Sequence, residues 1–481
     1  MRKRTEYFKI HRFARTYDQV SGKFVFDVRY KTSVPLSDRT IAVAEAFGLG
    51  IDEEKEHIVL DNVELKIGPH DIVYVTGDSG SGKSVLLRAL KKDLGDEAID
   101  IGDVEVDASK PLIETVGKTV EEGLELLSRV GLNDAFLFLR KYPELSDGQK
   151  YRYRLAKLVD SGKQWWIMDE FCATLDRDTA KIIAFNLQKL ARQQGKAVIA
   201  ATTHTDLQED LWPDVHVHKR FGKEIAVNYC TIHTHNKCSL IEEMYVAEGR
   251  LEHWRILAAF HYRSHKVTAP RKVFCLWRGD GELCGVIVYT YPGASASGRR
   301  QVLPRMSFKE LNNKLSLVSR IVIHPKYRTI GLGVRLLQES LPQCGTPYVE
   351  LCAVMAKYNP FAERAGMRLV RLQDPSPQAV KVAAVLAEFG INLELLGSRR
   401  YVLSMLQGLS VKQRQRLKQA FIGNGHPRFL KCFAGGMPYG YHSVYKKWIM
   451  RSSLERLADL IKICGFMLQT KCYLFWANPE P

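Results

Sequence analysis

The sequence predicts a mixed fold, an α/β module followed by an α+β module, and three observations carry that expectation. A Gly-rich octet at Gly77–Ser84 (GDSGSGKS) stands between the apolar run DIVYVT (71–76) and the helix-like SVLLRALKKDL (84–94). A second strand, Gly-rich turn and amphipathic helix occupy 317–339 (LVSRIVIHPKYRTIGLGVRLLQE). At 481 residues the chain is also too long for one ordinary core, so two or three domains are expected.

Residues 1–50 join strand-like KFVFDVRYKT (23–32) to helical TIAVAEAFGL (40–49), and HIVLDNVELKI (57–67) reads as a strand pair leading into the strand before the octet. The octet fits the phosphate-binding pattern G-x-x-x-x-G-K-[S/T] in the strand–loop–helix setting that the pattern needs. Its glycines let successive backbone N–H groups turn inward on phosphate oxygens, and the helix N-terminus adds partial positive charge. Gly77, Asp78, Ser79, Gly80, Ser81, Gly82, Lys83 and Ser84 are therefore the expected phosphate cradle. Lys83 is expected to reach the outer phosphates, and the Ser84 hydroxyl to ligate Mg²⁺. The expected ligand is a nucleoside triphosphate.

Four further stretches follow in order: LSDGQKYRYRLAKLV (145–159), WWIMDE (165–170), ATLD (173–176) and AVIAATTH (197–204). Together they resemble the ABC ATPase family, as its signature motif (usually LSGGQ, here with Asp147 in place of a Gly), Walker B, D-loop and switch histidine. The resemblance implies ATP as the nucleotide, Asp169 holding Mg²⁺ through water, Glu170 as general base for the attacking water, and His204 near the γ-phosphate. It further implies a homodimer with composite sites, in which Ser146, Gly148 and Gln149 of one copy face ATP on its mate, so that a single chain hydrolyses poorly. Phe47, some thirty positions before the octet, is the candidate adenine-stacking aromatic, although an apolar helix face explains it nearly as well.

Two departures from the family stand out. No glutamine lies between Lys83 and Gln149, so the Q-loop glutamine is missing; an acidic substitute such as Asp107 or Glu114 is conceivable. Only 62 positions separate Lys83 from Leu145, which implies a short helical subdomain. No run approaches the roughly twenty apolar residues of a membrane span, so transport by this chain alone is not expected.

The α+β module rests on Arg328-Thr329-Ile330-Gly331-Leu332-Gly333, which follows the strand SRIVIH and opens a helix. This resembles motif A of the GNAT acetyltransferases, R/Q-x-x-G-x-G/A, preceded by HPKYR as in many members. The flanking stretches fit as well: VFCLWRGDGELCGVIVYTYP (273–292) as a two-strand meander split at Asp280-Gly281, YVELCAVM (348–355) as a second cofactor-contacting strand, and NPFAERAGM (359–367) as the closing helix. The resemblance implies acetyl-coenzyme A as cofactor, its pyrophosphate on the Arg328–Gly333 loop. The family's tyrosine general acid is replaced by Ala362, leaving Tyr358 as a nearby substitute, and Glu350 is the candidate base for an acceptor amine.

Charge is divided unevenly. Residues 1–240 hold 35 Lys and Arg against 37 Asp and Glu, whereas 241–481 hold 35 against 16. The basic half points to a polyanionic partner, nucleic acid first, or to a solvated basic surface without one. Its aromatic, basic tail (from 375) suits base stacking and phosphate neutralisation, or equally a set of amphipathic helices. CTIHTHNKC (230–238) offers Cys230, His233, His235 and Cys238 as zinc ligands, but strand alternation puts the cysteines and histidines on opposite faces, and a plain strand is expected. Ten scattered cysteines and no signal peptide pattern suggest a reduced, cytoplasmic protein.

The expected layout is an N-terminal extension (1–50), an ABC-type ATPase (51–228), a GNAT-like domain (239–372) and a basic aromatic region (373–481). This order resembles a prokaryotic family of soluble ABC ATPases fused to an acetyltransferase. Two functions follow: an ATP-driven acetyltransferase, or an ATP-switched clamp for nucleic acid or protein with a silent transferase fold.

Overall fold

The computed structural model describes residues 8–18, 20–32, 37–49, 56–230, 237–261, 265–279, 281–354, 356, 359–426, 428–429 and 442–479. Tyr358, His233 and His235 lie outside them. The strands form three sheets, and the chain divides into two compact units, 1–266 with 273–287 and 321–336, and 267–272 with 288–320 and 337–481.

In the first unit, β1 (Phe8–Asp18), β2 (Lys23–Thr32) and β3 (Glu56–Lys66) make an antiparallel sheet in that order. Alternation along β2 buries Phe24, Phe26 and Val28 against Leu60 and Leu65 of β3. The stretch expected to be a strand pair is one strand. Asn62, at φ 47°, takes the left-handed conformation that Asn tolerates, and the ladder shifts register there without reversing the chain. Between β2 and β3, the Ser37-capped helix α1 (Asp38–Ala46) buries no residue, and Phe47 at its end is 77% exposed.

The second sheet has the order β5-β6-β7-β4-β8-β9, comprising β4 (Ile72–Thr76), β5 (Ala98–Asp100), β6 (Trp165–Met168), β7 (Ala197–Thr202), β8 (Val215–Lys219) and β9 (Ile225–Tyr229). All of its pairs are parallel except β8 with β9. Its central strands are buried along their whole length because both faces are covered. Val73 and Val75 pack with Leu86 and Leu90 of α2 (Lys83–Leu94) and with the β1–β3 sheet. Ile72 and Tyr74 pack on the opposite side, with helices α3 (Val120–Arg129), α5 (Asp147–Asp160) and α6 (Arg177–Gln194). Short helices α4 (Ala135–Phe138) and α7 (Gln208–Leu211) complete this part.

The third sheet has the order β10-β11-β12-β13-β14-β16-β15. Its strands are β10 (Met244–Glu248), β11 (Pro270–Arg278), β12 (Leu283–Thr290), β13 (Leu315–Ile323), β14 (Tyr348–Ala353), β15 (Arg368–Gln373) and β16 (Lys471–Ala477). β13 and β14 run parallel from Leu315↔Tyr348 to Val318↔Leu351, and β16 lies antiparallel between β14 and β15. Helices α8 (Leu251–Leu257), α9 (Phe308–Lys314), α10 (Leu332–Ser340) and α11 (Phe361–Arg364) punctuate these strands.

The basic tail is helical: α12 (Pro377–Glu388), α13 (Arg399–Gly408), α14 (Val411–Gly423), α15 (His442–Met450) and α16 (Leu454–Met467) enclose an apolar core of their own, including Val382, Leu406, Phe421 and Ile461. Several of its cations stitch the helices together. Lys418 Nζ donates to the Met450 and Ser452 carbonyls (both 2.9 Å), and Arg414 donates to those of Leu406 and Gln407 (3.0 and 2.7 Å). Arg399 pairs with Asp459, and Arg416 with Glu388. Among the described residues no helix is long and apolar enough to cross a membrane.

Candidate functional site

Thr76, Met168 and Thr202 end three neighbouring parallel strands, β4, β6 and β7, in which Thr76 is paired with Thr202 and Met168 with Ala200. The octet, the Asp169-Glu170 pair and Thr203-His204 therefore leave the sheet at one edge. The loop cannot be built without its glycines. A Cβ on Gly77 (φ 143°) would stand 1.9 Å from the Lys219 carbonyl oxygen, and one on Gly82 (φ 104°) 2.4 Å from Val59 Cγ1. Gly82 then opens α2.

Lys83 is buried, and its Nζ donates to the carbonyls of Gly77 and Asp78, both at 2.7 Å, so the ammonium sits inside the loop's curl. Burial pulls its pKa below the ordinary lysine range, against the opposing pull of Asp169, Asp78 and Glu170. Those carboxylates are thus close enough to sense the ammonium. Ser81 Oγ is buried with no hydrogen-bond partner, an orphan donor within a cationic cradle. An anion bearing several acceptor oxygens fits this site: it satisfies Ser81 and draws Lys83 from the two carbonyls.

Glu170 is exposed, at φ 54°, and its N–H donates to Asp169 Oδ1 (3.0 Å). Two residues on, Cys172 is also left-handed (φ 59°), held where its N–H meets the Tyr151 hydroxyl of α5 at 3.0 Å. Left-handed non-glycine residues each cost about 1–3 kcal/mol and persist where surrounding contacts impose them. Here they turn the chain sharply out of β6, leaving Glu170 in solvent. The carbonyl of His204 accepts from the Tyr74 hydroxyl, which fixes the backbone carrying the half-buried imidazole.

Ser146 caps α5 and is exposed; its N–H donates to Gln149 Oε1 at 3.0 Å. Gly148 lies against the 173–176 loop, where an added Cβ would be 3.3 Å from Leu175 Cδ2. Asp147 is 91% exposed and 3.5 Å from Lys150. Of the two acidic candidates for the missing glutamine, Asp107 is exposed and accepts from Ser109 N and Oγ, and Glu114 is exposed in a short 3₁₀ turn. Asp100, at the end of β5, is the carboxylate that lies in the field of Asp169.

Sequence reasoning missed the β8–β9 hairpin. Lys219 is fully buried, and its Nζ donates to the carbonyls of Arg220 (2.6 Å) and Gly222 (2.5 Å), which moulds the turn beside the octet. At the tip Phe221 is 63% exposed, its ring 3.7 Å from where a Cβ on Gly80 would lie. On the same strand His216 and His218 both reach the Thr76 hydroxyl, at 2.9 and 3.0 Å. Burial and the neighbouring His218 lower the His216 pKa. Nothing in the alternation of HVHK (216–219) announces that two of its side chains hold Thr76, just before the octet, and that a third moulds the turn beside it.

The "Cytochrome c biogenesis ATP-binding export protein CcmA" of Gluconobacter oxydans is 33% identical over 172 residues, which span 32% of this chain and 78% of that protein. The chain belongs to the ABC ATPase family. The membership rests on that third of its length; the "Fe(3+) ions import ATP-binding protein FbpC" of Streptomyces avermitilis is 30% identical over 30% of this chain, but only half of its own length is matched. Among solved structures, one titled as a dimeric, post-hydrolysis state of the ATP-binding cassette MJ0796 bound to ADP and Pi aligns with 37% of this chain and 93% of its own, at 20% identity and a TM-score of 0.31. No family model matches the chain.

The second candidate loop follows β13. Thr329 (φ 77°) and Gly331 (φ 92°) are left-handed; Ile330 and Leu332 are buried, whereas Gly331 is exposed, with open space where a Cβ would be. Gly333 is half-buried at the start of α10. The Arg328 guanidinium is engaged within the chain, donating to the carbonyls of Ile323 (3.0 Å), Asn133 (2.6 Å) and, more weakly, Phe260 (3.5 Å). It therefore shapes the loop, and Arg328 and Thr329 are each half-buried.

Glu350 does not stand as a free base. It is 1% exposed on β14, where Arg299 grips both of its oxygens (2.6 and 3.0 Å) and the Tyr473 hydroxyl of β16 donates to it at 2.9 Å. A carboxylate so buried survives only by such pairing. Ala362 is fully buried in α11. Cys238 is buried and Cys230 half-buried, and no group of three metal-ligating side chains gathers among the described residues.

Proposed function

We propose that this chain binds and hydrolyses ATP as a homodimer and couples that cycle to a GNAT-like module that transfers an acetyl group from acetyl-coenzyme A to an amine on an unidentified acceptor. The observation that carries the ATPase part is the convergence of the octet, Asp169-Glu170 and His204 at one edge of the sheet, with Lys83 buried in the loop and Ser81 lacking a partner. Mg²⁺ held by Ser84, and through water by Asp169, would neutralise charge on the outer phosphates. Lys83 exchanges its two loop carbonyls for phosphate oxygens. Glu170 accepts the proton of the attacking water as its oxygen bonds to the γ-phosphorus; ADP departs with the electron pair of the broken bond, and His204 steadies the γ-phosphate. The exposure of Ser146 supports a composite site, because a signature motif aimed at a mate has to lie open in the free chain. Phe47 and Phe221, both exposed, are the aromatics proposed to meet the base, and Phe221 is the one that lies beside the octet.

The acetyltransferase reading is supported by the β11–β12 meander, by β13 leading through a left-handed loop into α10, and by β14 parallel to β13. The second reading, an ATP-switched clamp for nucleic acid or protein, is favoured by Ala362 in the acid's position and by the sealing of Glu350. Two measurements test the proposal. Glu170→Gln is expected to abolish ATP turnover and to trap an ATP-bound dimer on size exclusion; a monomer with undiminished turnover refutes the ATPase mechanism. Calorimetry with acetyl-coenzyme A, with and without ATP and Mg²⁺, is expected to show micromolar binding; its absence in both states leaves the clamp.

A further inference from the structure

The ATPase part of the first unit does not simply precede the Arg328–Gly333 loop in sequence. It builds one side of it. Lys326 Nζ lies 2.5 Å from Asp178 Oδ2 and 3.8 Å from Asp176 Oδ1, both at the start of α6. The same Asp178 oxygen takes Arg278 Nη1 at 2.8 Å and the fully buried Tyr327 hydroxyl at 3.3 Å. About two turns along α6, Asn186, only 2% exposed, donates through Nδ2 both to the Arg129 carbonyl (2.9 Å) and to Thr329 Oγ1 (2.7 Å). Thr329 is the loop's left-handed non-glycine residue, so the side chain that holds it in that conformation comes from the ATPase helix.

The N-terminal end of α6 leads back to the nucleotide site. Asp176 is its N-cap, accepting from Thr179 N (3.1 Å) and Oγ1 (2.6 Å), and it is also the last residue of the 173–176 loop. That loop packs on Gly148 of the signature motif and is reached from Glu170 through the two left-handed turns at Glu170 and Cys172. A displacement of Asp169-Glu170 on nucleotide binding, or of Gly148 on pairing with a mate, therefore arrives at Asp176 and Asp178 within six to eight residues of chain. There it meets an ion-paired network that ends on Lys326 and Tyr327, while Asn186 farther along the helix holds Thr329.

We propose that α6 is a transmission element: Asp178 and Asn186 are positioning residues for the Arg328–Gly333 loop, and through Lys326 the nucleotide state of the ATPase sets that loop's conformation. By linkage, occupancy of the loop changes nucleotide affinity by the same factor. Helix α6 is suited to this because it is buried along ten of its positions, and a close-packed element transmits strain along its length. A sparse ion pair at the surface would carry little, whereas Asp178 is largely buried and shared by three donors. The ligand of the loop, acetyl-coenzyme A, rests on the reading given above; the mechanical link does not.

The test uses the full chain in two arms. In the first, hydrogen exchange of the 323–333 peptide is followed with and without ATP and Mg²⁺ in the Glu170→Gln background. The expected result is a change of about fivefold or more on ATP binding, lost in Lys326→Ala and restored in Lys326→Arg. Protection of 77–84 by ATP with no change at 323–333 overturns the proposal. In the second arm, acetyl-coenzyme A affinity is measured with and without ATP; a ratio of about 5 to 100 is expected. It should fall to within about twofold of unity in Asp178→Asn, with ATP affinity kept. Acetyl-coenzyme A that binds with an affinity indifferent to ATP overturns the coupling and leaves the transferase reading standing. Failure to bind at all, with the exchange change present, overturns the cofactor and keeps the coupling.

Discussion

Replacing Arg299 by Met leaves the Glu350 carboxylate in the interior with only the Tyr473 hydroxyl beside it. Both oxygens lose a guanidinium at 2.6 and 3.0 Å, and at 1% exposure no water replaces it. Breaking a buried pair from one side costs about 3–5 kcal/mol. Glu350→Gln breaks the same pair from the other side: the Arg299 guanidinium, 8% exposed, loses its counter-charge and one of its donors faces an amide N–H₂, again a loss of about 3–5 kcal/mol. Because amides in a central strand exchange through opening, and 1.36 kcal/mol is tenfold, exchange of Val349, Glu350, Leu351 and Cys352 should quicken about 10²- to 10⁴-fold in Arg299→Met and in Glu350→Gln alike. Mass spectrometry on peptides spanning 348–353 and 471–477 reads this locally, without assuming that so long a chain unfolds in one step. Unaltered exchange in Glu350→Gln together with abolished acetyl transfer would refute the reasoning, since the carboxylate would then be spending its time on substrate and not on Arg299.

Three other outcomes are expected. Asp147→Gly removes a carboxylate from the first turn of α5, the end that a mate's phosphates would approach; turnover should rise about two- to fivefold, corresponding to about 0.3–1 kcal/mol, and an unchanged rate in a steady-state ATPase assay counts against the composite site. Phe221→Ala should weaken ATP about tenfold while inorganic triphosphate is unaffected, with Phe47→Ala the smaller effect; titration with both ligands decides, and the reverse ranking returns the base contact to Phe47. His216 has a folded pKa below its ordinary 6.5, so the folded state binds fewer protons than the unfolded one, and stability present above pH 6.5 is lost as pH falls below it. Thermal midpoints at pH 7.5 and 5.5 should differ less in His216→Gln than in the unaltered protein.

The octet, β4, β6, β7 and the signature motif were legible because their chemistry is local: a few residues at fixed spacing specify both the turn and the groups it presents. Helix α2 and strand β2 could be bounded within a residue from apolar periodicity. What escaped was set by distant chain. Lys219 and Phe221 reach the octet from more than 130 positions away, and Asn186 shapes Thr329 across 143. Glu350 looked like a solvated or catalytic strand carboxylate until β16 was laid beside it. The expected strand pair at 57–67 failed for the opposite reason: Asn62 interrupts two apolar runs, and tertiary pairing absorbs it as an irregularity in one strand.

The insertion of β16 between β14 and β15 has a consequence for the order in which the protein comes into being. Glu350 and Tyr473 are separated by 123 positions, all of which must be translated before the hydroxyl can arrive. At about 5–20 residues per second the strand holding Glu350 waits about 6–25 s on the ribosome for the neighbour that seals it. Meanwhile β14 and β15 present unpaired edges, and the intervening helices, with their separate apolar core, can gather first. Synthesis thus makes the centre of this sheet one of the last places to close, and a nascent-chain chaperone would find its work there.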